Sequence, residues 1–375
     1  MKKKPKTHGL LAYLVFLPAA LAGIGLVLSF LACRINPEII FFPALFGLAF
    51  PLLFLAGFLL FLFNLALLRK RCLFFLACLL LNYGNLQNTL QVKGSPEPSP
   101  ESGKFPGDIK LMTYNVRLFD FYRTADPEEG KIKNEILAFI QEQKPDIICF
   151  QEYYESKGKG FDITSVLREA GYRNSTNPEL SGRGFLYGNR IYSRFPIIQE
   201  GSVADMSRFD AVYADLQIGK DTLRVYNLHL ASNRFDKTDQ EFVSSISSPL
   251  ADASHYKKGA TRMLKKMKAA VRQRNQQLQN VILHAESLDA PRRQIICGDL
   301  NDQAVSYTYS YLERKGFHDA FVEQGQGMGQ SYKGLYPSYR IDYILHRGGI
   351  HIKYFNTWKV DYSDHRPLSA ILNIR

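Results

Sequence analysis

The sequence predicts an α/β domain built on a mixed sheet and preceded by an apolar helical region. Three observations lead to this prediction. Short apolar runs with the pattern of strands alternate with segments of helical periodicity from about residue 108 onward. Many of these strand patterns end on an acidic, amide or imidazole side chain. The first 92 residues consist mainly of long runs without charge, and a length of 375 residues allows two or three structural units.

The N-terminal residues 1–92 predict a membrane anchor. The apolar runs of this region predict three transmembrane helices, at about 10–33, 40–68 and 72–92. The first run has about 24 residues without a charge, which is long enough to cross a bilayer. The third run is diluted by amide side chains and is alternatively an interfacial helix. A cleaved signal peptide, or a lipoprotein cysteine at Cys33, is a weaker interpretation because a second long apolar run follows the first.

The basic residues around these runs predict an orientation in the membrane. Positive charges that flank spans stay on the cytoplasmic side, which would place Lys2–Lys6 and Arg69–Arg71 in the cytoplasm. With three spans, the rest of the chain would then lie outside the cytoplasm, on a multi-pass protein of the cell membrane. Residues 93–107 are rich in Pro, Ser and Gly and predict an extended, exposed linker. Residues 108–375 would form the folded domain.

The net charge gives little support for nucleic-acid binding. The first 104 residues carry a net charge of +7, which leaves +5 of the total of +12 for the remaining 271 residues. Proteins that bind DNA usually concentrate basic residues on one face of the binding domain. The basic character of this chain therefore belongs largely to its N-terminal region.

The folded domain shows the periodicity of helices and strands in alternation. The predicted helices are Lys131–Gln143, Ile163–Ala170, about Lys257–Glu286, and Val305–Lys315. Consecutive strands are predicted over Arg183–Leu230, with turns at Gly188-Asn189 and at Gly219–Asp221. Asn233–His255 predicts a long polar loop. The helix Lys257–Glu286 is rich in Lys and Arg, which indicates a solvated face or, alternatively, a surface for anionic lipid or a polyanionic substrate.

The segment Gln294–Asp302 is the most informative strand pattern. Its apolar residues predict a short buried strand, Gly298 allows a tight exit, and Asp299 and Asn301 follow the strand end. A carboxylate and a carboxamide two residues apart at such an edge can point into one cleft. One can orient or deprotonate a water and the other can donate to a developing oxyanion. The structural alternative is an Asp turn that caps the next helix.

The same arrangement recurs along the chain, which favours one shared site over separate structural roles. The other polar residues at strand ends or in strand patterns are Asn115, Glu152, Asn227, His229, Asp342, Asp364 and His365. Taken alone, each has a structural interpretation as a strand end, a turn former, a core histidine or an Asp–His pair. Six independent coincidences of this kind are much less frequent than a single site.

These residues occur in the order YN, QE, NLH, GDLN, RIDYI and SDHRP. In that order they resemble the motifs of the endonuclease/exonuclease/phosphatase superfamily, which has the deoxyribonuclease-I-like fold. YSRFPI at Tyr192–Ile197 is similar to a further strand of that family. The resemblance covers residues 108–375 and identifies a membrane-anchored, bacterial-type member. It implies a four-layer α/β/β/α sandwich, in which two mixed sheets pack face to face with helices outside.

The resemblance also implies a metal site. Glu152 would ligate a divalent ion, with Asn115 beside it and Asp364 completing the metal side. Oxygen ligands favour Mg²⁺ or Mn²⁺ over zinc, and the five cysteines show no zinc-binding spacing. Some members carry an acidic residue just after the YN motif, where this chain has Val116–Leu118. A single metal ion is therefore expected.

The remaining roles implied by the resemblance concern the reaction. Asp299 would orient or activate the attacking water, and Asn301 would stabilise the transition-state oxygens. His365 would contact the scissile phosphate, with its tautomer set by Asp342. His229 would contact the phosphate or assist the leaving group. The residues expected to bind substrate are Asn115, Asn227 and His229.

Together these expectations describe a membrane-anchored, divalent-metal-dependent phosphoesterase that hydrolyses a phosphodiester or phosphomonoester with an activated water. One alternative is a nuclease acting on DNA or RNA. An alternative of another class is a catalytically inactive, membrane-tethered module that binds a phosphate ligand; retention of all the polar motifs favours the enzyme. The expected partners are the bilayer and a phosphoester substrate (lipid, small molecule or nucleic acid), and no protein partner is implied. Gly325–Gly329 lacks the strand and helix that flank a phosphate loop, and predicts a flexible loop.

Overall fold

The chain forms two compact units in a computed structural model. The model describes residues 8–94, 107–123, 130–156, 162–177, 179–180, 185–203, 206, 210–245, 253–334 and 339–374. The first unit comprises Met1–Thr89 with Gln303–Tyr311, and the second comprises Leu90–Asp302 with Leu312–Arg375. Most of the predicted linker, residues 95–106, lies outside the described residues.

The first unit is helical where the structure describes it. Its helices are α1 (His8–Ala32), α2 (Phe42–Leu48), α3 (Phe50–Ala66), α4 (Arg71–Leu81) and α5 (Tyr83–Thr89). The run 40–68, predicted as one span, is bent by 75° between α2 and α3. A proline in the first turn of α3 explains the break, because proline lacks the N–H that would continue the preceding helix. No single helix in the described part of the chain is long and apolar enough to cross a membrane, whereas α2 and α3 together pass by length and composition.

Buried amide side chains divide the third apolar run. Asn82 lies between α4 and α5, and its Nδ2 donates to the backbone oxygens of Leu26 and Cys78 at 3.0 Å each. The Nδ2 of Asn85 in turn donates to the Oδ1 of Asn82 at 2.9 Å. An asparagine side chain that bonds nearby backbone competes with the regular helix. The amides that dilute this run therefore bind α4 and α5 to α1.

The second unit contains two mixed sheets. The strands are β1 (Ile109–Asn115), β2 (Ile147–Ser156), β3 (Asn174–Ser175), β4 (Glu179–Leu180), β5 (Phe185–Ser193), β6 (Ile197–Ser202), β7 (Ala211–Ile218), β8 (Asp221–His229), β9 (Arg293–Asp299), β10 (His318–Asp319), β11 (Asp342–Arg347), β12 (His351–Thr357) and β13 (Leu368–Asn373). The first sheet has the order β12-β13-β1-β2-β5-β3, with β4 paired to β5, and the second has the order β10-β11-β9-β8-β7-β6. Each sheet contains one parallel pair, β1/β2 or β8/β9.

Apolar side chains from both sheets form one core between them. Leu111 and Ile147 of the first sheet belong to the same buried cluster as Val225 and Ile295 of the second. The later helices of the chain are α6 (Lys131–Gln143), α7 (Ile163–Glu169), α8 (Lys237–Ser245), α9 (Ala253–Ala285), α10 (Tyr307–Arg314) and α11 (Ala320–Gln324). Side chains of α6 and α7 pack on the outer face of the first sheet. His284 of α9 contacts the outer face of the second sheet. The predicted two mixed sheets with helices outside them are confirmed.

Two local predictions were wrong. No turn occurs at Gly188-Asn189, which lies within β5 opposite an irregularity in β2; the φ of +120° at Gly188 accommodates that irregularity. The predicted polar loop 233–255 contains α8, whose Asp239 is bound by Arg262 and Lys266 of α9. Ion pairs between the two helices, which a single-sequence pattern does not reveal, stabilise this segment.

Gly298 positions the end of β9. Its φ is +118°, a conformation that L side chains rarely adopt, and an added Cβ would lie 2.1 Å from the backbone oxygen of Leu228. The close approach lets β8 and β9 pair in parallel up to His229 and Asp299. The sequence predicted a tight exit from the strand at this glycine, whereas β9 continues through it to Asp299, so the glycine permits strand pairing instead.

Replacing Gly298 with alanine should therefore destabilise the second unit by about 2–4 kcal/mol, through both backbone strain and the clash with Leu228. Denaturant unfolding of the full-length protein, followed by the fluorescence of its one tryptophan, Trp358, measures this change. Gly219→Ala is the matched control, because Gly219 has a φ of +61° and no atom within 4 Å of an added Cβ. The control substitution should lower the free energy of unfolding by about 1 kcal/mol. Equal losses for the two variants would contradict the role of the close approach.

Candidate active site

The ends of the parallel strands bring most of the predicted residues together. Asn115 ends β1, His229 ends β8 and Asp299 ends β9. Asp342 begins β11 and pairs directly with Asp299 across the antiparallel β9/β11 ladder. His365 pairs with Tyr332 in an isolated bridge. Carboxyl ends of strands in α/β folds commonly form the rim of a ligand cleft.

The carboxylate of Asp299 is the centre of the cluster. Its Oδ2 accepts a hydrogen bond from Asn115 Nδ2 at 3.2 Å, and lies 3.7 Å from His365 Nε2 and 3.8 Å from His229 Nε2. Its Oδ1 accepts the backbone N–H of Asn301 at 2.8 Å. The Asp299 side chain is only 2% exposed. One buried carboxylate thus faces an amide and two imidazoles.

Glu152 lies beside this centre because of an irregularity in β2. The register of β2 against β5 shifts between Phe150 and Tyr153, and Glu152 has a φ of +49°. Such a conformation is strained for a residue with a side chain, and bulges of this kind re-aim side chains at functional sites. The Oε1 of Glu152 lies 3.3 Å from Asn115 Nδ2 and 3.8 Å from His229 Nε2. Glu152 is 29% exposed, so its carboxylate is at the open side of the cluster.

Asp342 orients His365. The Nδ1 of His365 lies 2.9 Å from Asp342 Oδ2, which leaves Nε2 facing Asp299. The hydroxyl of Ser331 accepts the backbone N–H of Asp342 at 3.0 Å, and the hydroxyl of Ser363 accepts that of His365 at 3.2 Å. These two serines fix the backbone on both sides of the Asp–His pair.

The pKa values of Asp299 and His365 are both shifted upward. Burial and the facing carboxylate of Asp342 raise the pKa of Asp299 to about 6, against the opposing effect of His365 and His229. Burial alone would lower the pKa of His365, but Asp342 and Asp299 outweigh it and raise that pKa to about 10. A cationic imidazole between two carboxylates is the arrangement that these directions describe.

One comparison with known proteins identifies the family of the chain. A family model described as the endonuclease/exonuclease/phosphatase family matches residues 112–365. The chain belongs to this family. Residues 12–89 match a second model, which describes a domain of unknown function. No curated protein matches the chain.

Several solved structures are similar to this chain at low identity. The human Nocturnin catalytic domain with bound sulfate is 15% identical, covers 72% of this chain and 94% of its own, and gives a TM-score of 0.48. An endonuclease/exonuclease/phosphatase from Bacteroides vulgatus is 15% identical, with coverages of 72% and 99% and a TM-score of 0.48. TDP2 of D. rerio with a single-strand DNA product is 15% identical, with coverages of 71% and 99% and a TM-score of 0.45.

Asn301 and Asp364 adjoin this cluster, the first through its backbone hydrogen bond to Asp299 and the second as the residue before His365. Asn301 has a φ of +51°, and its Nδ2 donates to the backbone oxygen of Leu230 at 2.8 Å. Asp364 is one-third exposed, and its Oδ2 lies 3.7 Å from the Nε of Arg117. Asn301 is thus held against the chain that leaves β8, whereas Asp364 is paired with a cation at the surface.

Asn227 is the predicted site residue that the structure does not bring into the cluster. It is fully buried, and its Nδ2 donates to the backbone oxygens of Phe150 at 2.8 Å and Arg190 at 3.1 Å. Its Oδ1 accepts from Gln151 Nε2. The side chain therefore joins the two sheets behind the site, and this geometry favours a structural role over substrate binding.

Sequence reasoning missed Arg117 and Tyr332. Arg117 begins four consecutive residues with φ between +48° and +56°, a left-handed turn that ends at Asp120, and its backbone N–H donates to Asn115 Oδ1 at 3.1 Å. The Tyr332 ring lies 5.0 Å from the His365 ring. Burial and the carboxylates of the site, led by Asp364, raise the pKa of Tyr332. Neither residue ends a strand. The pattern that predicted the other residues, a polar side chain at a strand end, therefore could not indicate these two.

The donor set suits a hard divalent cation. Glu152 and Asp364 offer partly exposed carboxylates, and Asn115 offers an amide oxygen; Mg²⁺ and Mn²⁺ prefer such ligands. The most compact group of acidic and imidazole side chains in the described residues is instead Asp299, Asp342 and His365, whose ligand atoms lie within 4.8 Å of one another. However, Nδ1 of His365 is bound to Asp342, and a cationic imidazole there would repel a metal ion. The residues on the Glu152 side fit a metal better.

If Asn227 is structural, its replacement by alanine should lower the free energy of unfolding of the second unit by about 2–3 kcal/mol, because two buried carbonyl groups lose their donor. Fluorescence-detected denaturant unfolding of the full-length protein measures this loss. Asn356→Ala, the same truncation at a half-buried position in β12, should cost less than about 1 kcal/mol. An Asn227→Ala variant as stable as the wild type would show that the joint between the sheets does not depend on this side chain.

Proposed function

We propose that this protein is a membrane-anchored, divalent-metal-dependent phosphoesterase that hydrolyses a phosphodiester or phosphomonoester by attack of an activated water. The observation that carries the proposal is the buried Asp299 carboxylate, which faces Asn115, His229 and His365 within 3.8 Å. A titratable group whose pKa is shifted by burial and by a facing charge, in a cleft, is typical of a catalytic site.

Glu152, Asn115 and Asp364 would hold one Mg²⁺ or Mn²⁺. Asn115 would present its Oδ1, which in this arrangement accepts the N–H of Arg117. When bound, the ion supplies positive charge to the non-bridging oxygens of the substrate phosphate. The guanidinium of Arg117 lies 3.7 Å from Asp364, and the chain has no acidic residue directly after its YN motif, where Val116–Leu118 follow. This cation supports a single metal ion rather than two.

The side chains of the chain itself would carry the proton transfers. Asp299 accepts a proton from the water whose oxygen attacks phosphorus, because a carboxylate with a pKa near 6 is a competent base at neutral pH. His365, held cationic by Asp342, donates a hydrogen bond to a phosphoryl oxygen as charge develops there. His229 Nε2 supplies a proton to the leaving oxygen, and Asn301 donates the second hydrogen of its amide to the transition state.

A lipid or a small extracytoplasmic phosphoester is the substrate class that we favour over DNA or RNA. The net charge of +5 on residues 105–375 is modest, and the first unit exposes large apolar side chains, among them Leu52 (69%), Leu68 (91%) and Leu73 (63%). Exposed apolar surface of this extent is typical of a protein that contacts a membrane. The positions of the basic residues in the N-terminal region support an orientation in which the N-terminus is in the cytoplasm and the catalytic domain is outside it.

The catalytic proposal predicts hydrolysis of bis-p-nitrophenyl phosphate by the detergent-solubilised full-length protein, with Mg²⁺ or Mn²⁺ and not with EDTA. Asp299→Asn and His365→Ala should each lower kcat by about 10²–10⁴. Asp289→Asn, the same change at an exposed carboxylate of the loop before β9, should leave kcat unchanged. Turnover at the wild-type rate by both site variants would refute the assignment. Phosphate binding without turnover under any metal would identify the inactive binding module instead.

The membrane proposal predicts that the full-length chain stays in the membrane fraction through washes with high salt and alkaline carbonate, since apolar contacts rather than charges hold it there. On such membranes the enzyme should hydrolyse sphingomyelin or a phosphoinositide faster than DNA or RNA. Release by salt alone would contradict the anchor. Nicking of plasmid DNA without lipid turnover would reverse the order of substrates.

A further inference from the structure

A cavity lies in the second unit, beside the segment Gly325–Gly329. Its volume is about 460 Å³, which is within the range of small-molecule sites. The side chains that define its character are Gln326, Met328, Gln330, Phe355, Lys359 and Arg366. The described residues that line it include two cations and no carboxylate. Such a lining favours an anion with an apolar portion.

The walls of this cavity are held by hydrogen bonds. Gln91 and Gly327 exchange two backbone hydrogen bonds of 2.8 Å, and the N–H of Gly94 donates to the oxygen of Gly325 at 3.2 Å. The backbone of Gly329 packs so closely on Phe321 that an added Cβ would lie 2.5 Å from its ring. The segment that the sequence predicted as a flexible loop is therefore pinned on one side by the chain at 91–94. A cavity with pinned walls is formed before a ligand arrives.

The positive charge of the cavity is only partly used by the protein. Arg366 Nη1 donates to the backbone oxygen of Gln330 at 3.0 Å, but its buried Nε makes no hydrogen bond to any residue that the structure describes. Asp361 interacts electrostatically with Arg366 but is already paired with Lys333 at 2.8 Å. Lys359 is exposed. A guanidinium and an ammonium that face one cavity match a phosphate group, which accepts hydrogen bonds from both.

We propose that this cavity is a binding site for a small phosphate-bearing molecule, separate from the site of hydrolysis. Arg366 and Lys359 bind the phosphate, and Phe355 with Met328 contacts an apolar body attached to it. Different side chains line the two sites, since His365 contacts Asp342 and Asp299 whereas the next residue, Arg366, lines the cavity.

The site is connected to the catalytic residues by a short ladder. The N–H of Arg366 donates to the oxygen of Ser331 at 2.7 Å, and the hydroxyl of Ser331 accepts the N–H of Asp342. Tyr332 pairs with His365 in the same ladder. A ligand that fixes Arg366 thereby also fixes the strand that orients His365.

The test uses full-length protein in detergent micelles, labelled with ¹³C in the methionine methyl groups, with EDTA present so that no turnover occurs. The Met328 methyl resonance, assigned through Met328→Leu, reports directly on the cavity. Phenyl phosphate should shift it saturably, and uncharged benzyl alcohol should not. Lys359→Gln should weaken the binding of phenyl phosphate by about 3–10-fold. Lys220→Gln, the same change in the exposed β7–β8 turn, should leave it unchanged.

Three results would overturn the proposal. The first is that phenyl phosphate causes no saturable shift of the Met328 methyl resonance. The second is that benzyl alcohol shifts this resonance equally. The third is that Lys359→Gln and Lys220→Gln weaken the binding of phenyl phosphate equally. Since the readout is a methyl resonance in metal-free protein, the outcome does not depend on the proposed hydrolase activity. If the protein hydrolyses no phosphoester but the Met328 methyl still shifts with phenyl phosphate, the phosphoesterase proposal is refuted and the proposed binding site is retained.

Discussion

The candidate active site is built around two carboxylates that face each other in a buried antiparallel strand pair. Asp299 and Asp342 are direct partners across β9 and β11, and like charges in that position destabilise a sheet. His365 resolves the conflict, because its two nitrogens lie 2.9 Å from Asp342 and 3.7 Å from Asp299. Burial and the repulsion by Asp342 raise the pKa of Asp299, and the attraction of the two carboxylates raises that of His365 against the effect of burial, so one arrangement causes both shifts. A core built only for stability would have no reason to contain it.

The strand ends were predictable because strand period and composition are local properties. β1 ends at Asn115 and β8 at His229, as these polar residues predicted, and β9 and β11 carry Asp299 and Asp342 to the same region. The parallel pairing of β8 and β9 then follows from Gly298, which has room only for hydrogen beside Leu228. The direction of the Glu152 side chain was not predictable. It results from a φ of +49° at a point where the register of β2 against β5 shifts. The left-handed turn at Arg117 is a similar case, and both strained segments contact Asn115, a partner of Asp299.

The breaks in the N-terminal helices and the burial of Asn227 were not predicted from the sequence. Apolar length predicted three continuous helices in the N-terminal region, but it does not report bends. A proline in the first turn of α3 and the buried Asn82 break two of the three runs. Asn227 is the converse case, because an amide two residues before a site histidine is buried between the sheets. Asn227 and His229 lie on the same face of β8, so period-two alternation could not have separated the two side chains.

Hydrolysis in water enriched in ¹⁸O tests the central claim most directly. Full-length protein loaded with Mg²⁺ or Mn²⁺ should convert bis-p-nitrophenyl phosphate in a single turnover to p-nitrophenyl phosphate that carries one ¹⁸O, with none in p-nitrophenol. That result means that water attacks phosphorus and that the P–O bond breaks, as a base at Asp299 requires. Label in p-nitrophenol, or an unlabelled phosphate product formed in the first turnover, would show that a different bond breaks or that a protein side chain is the nucleophile.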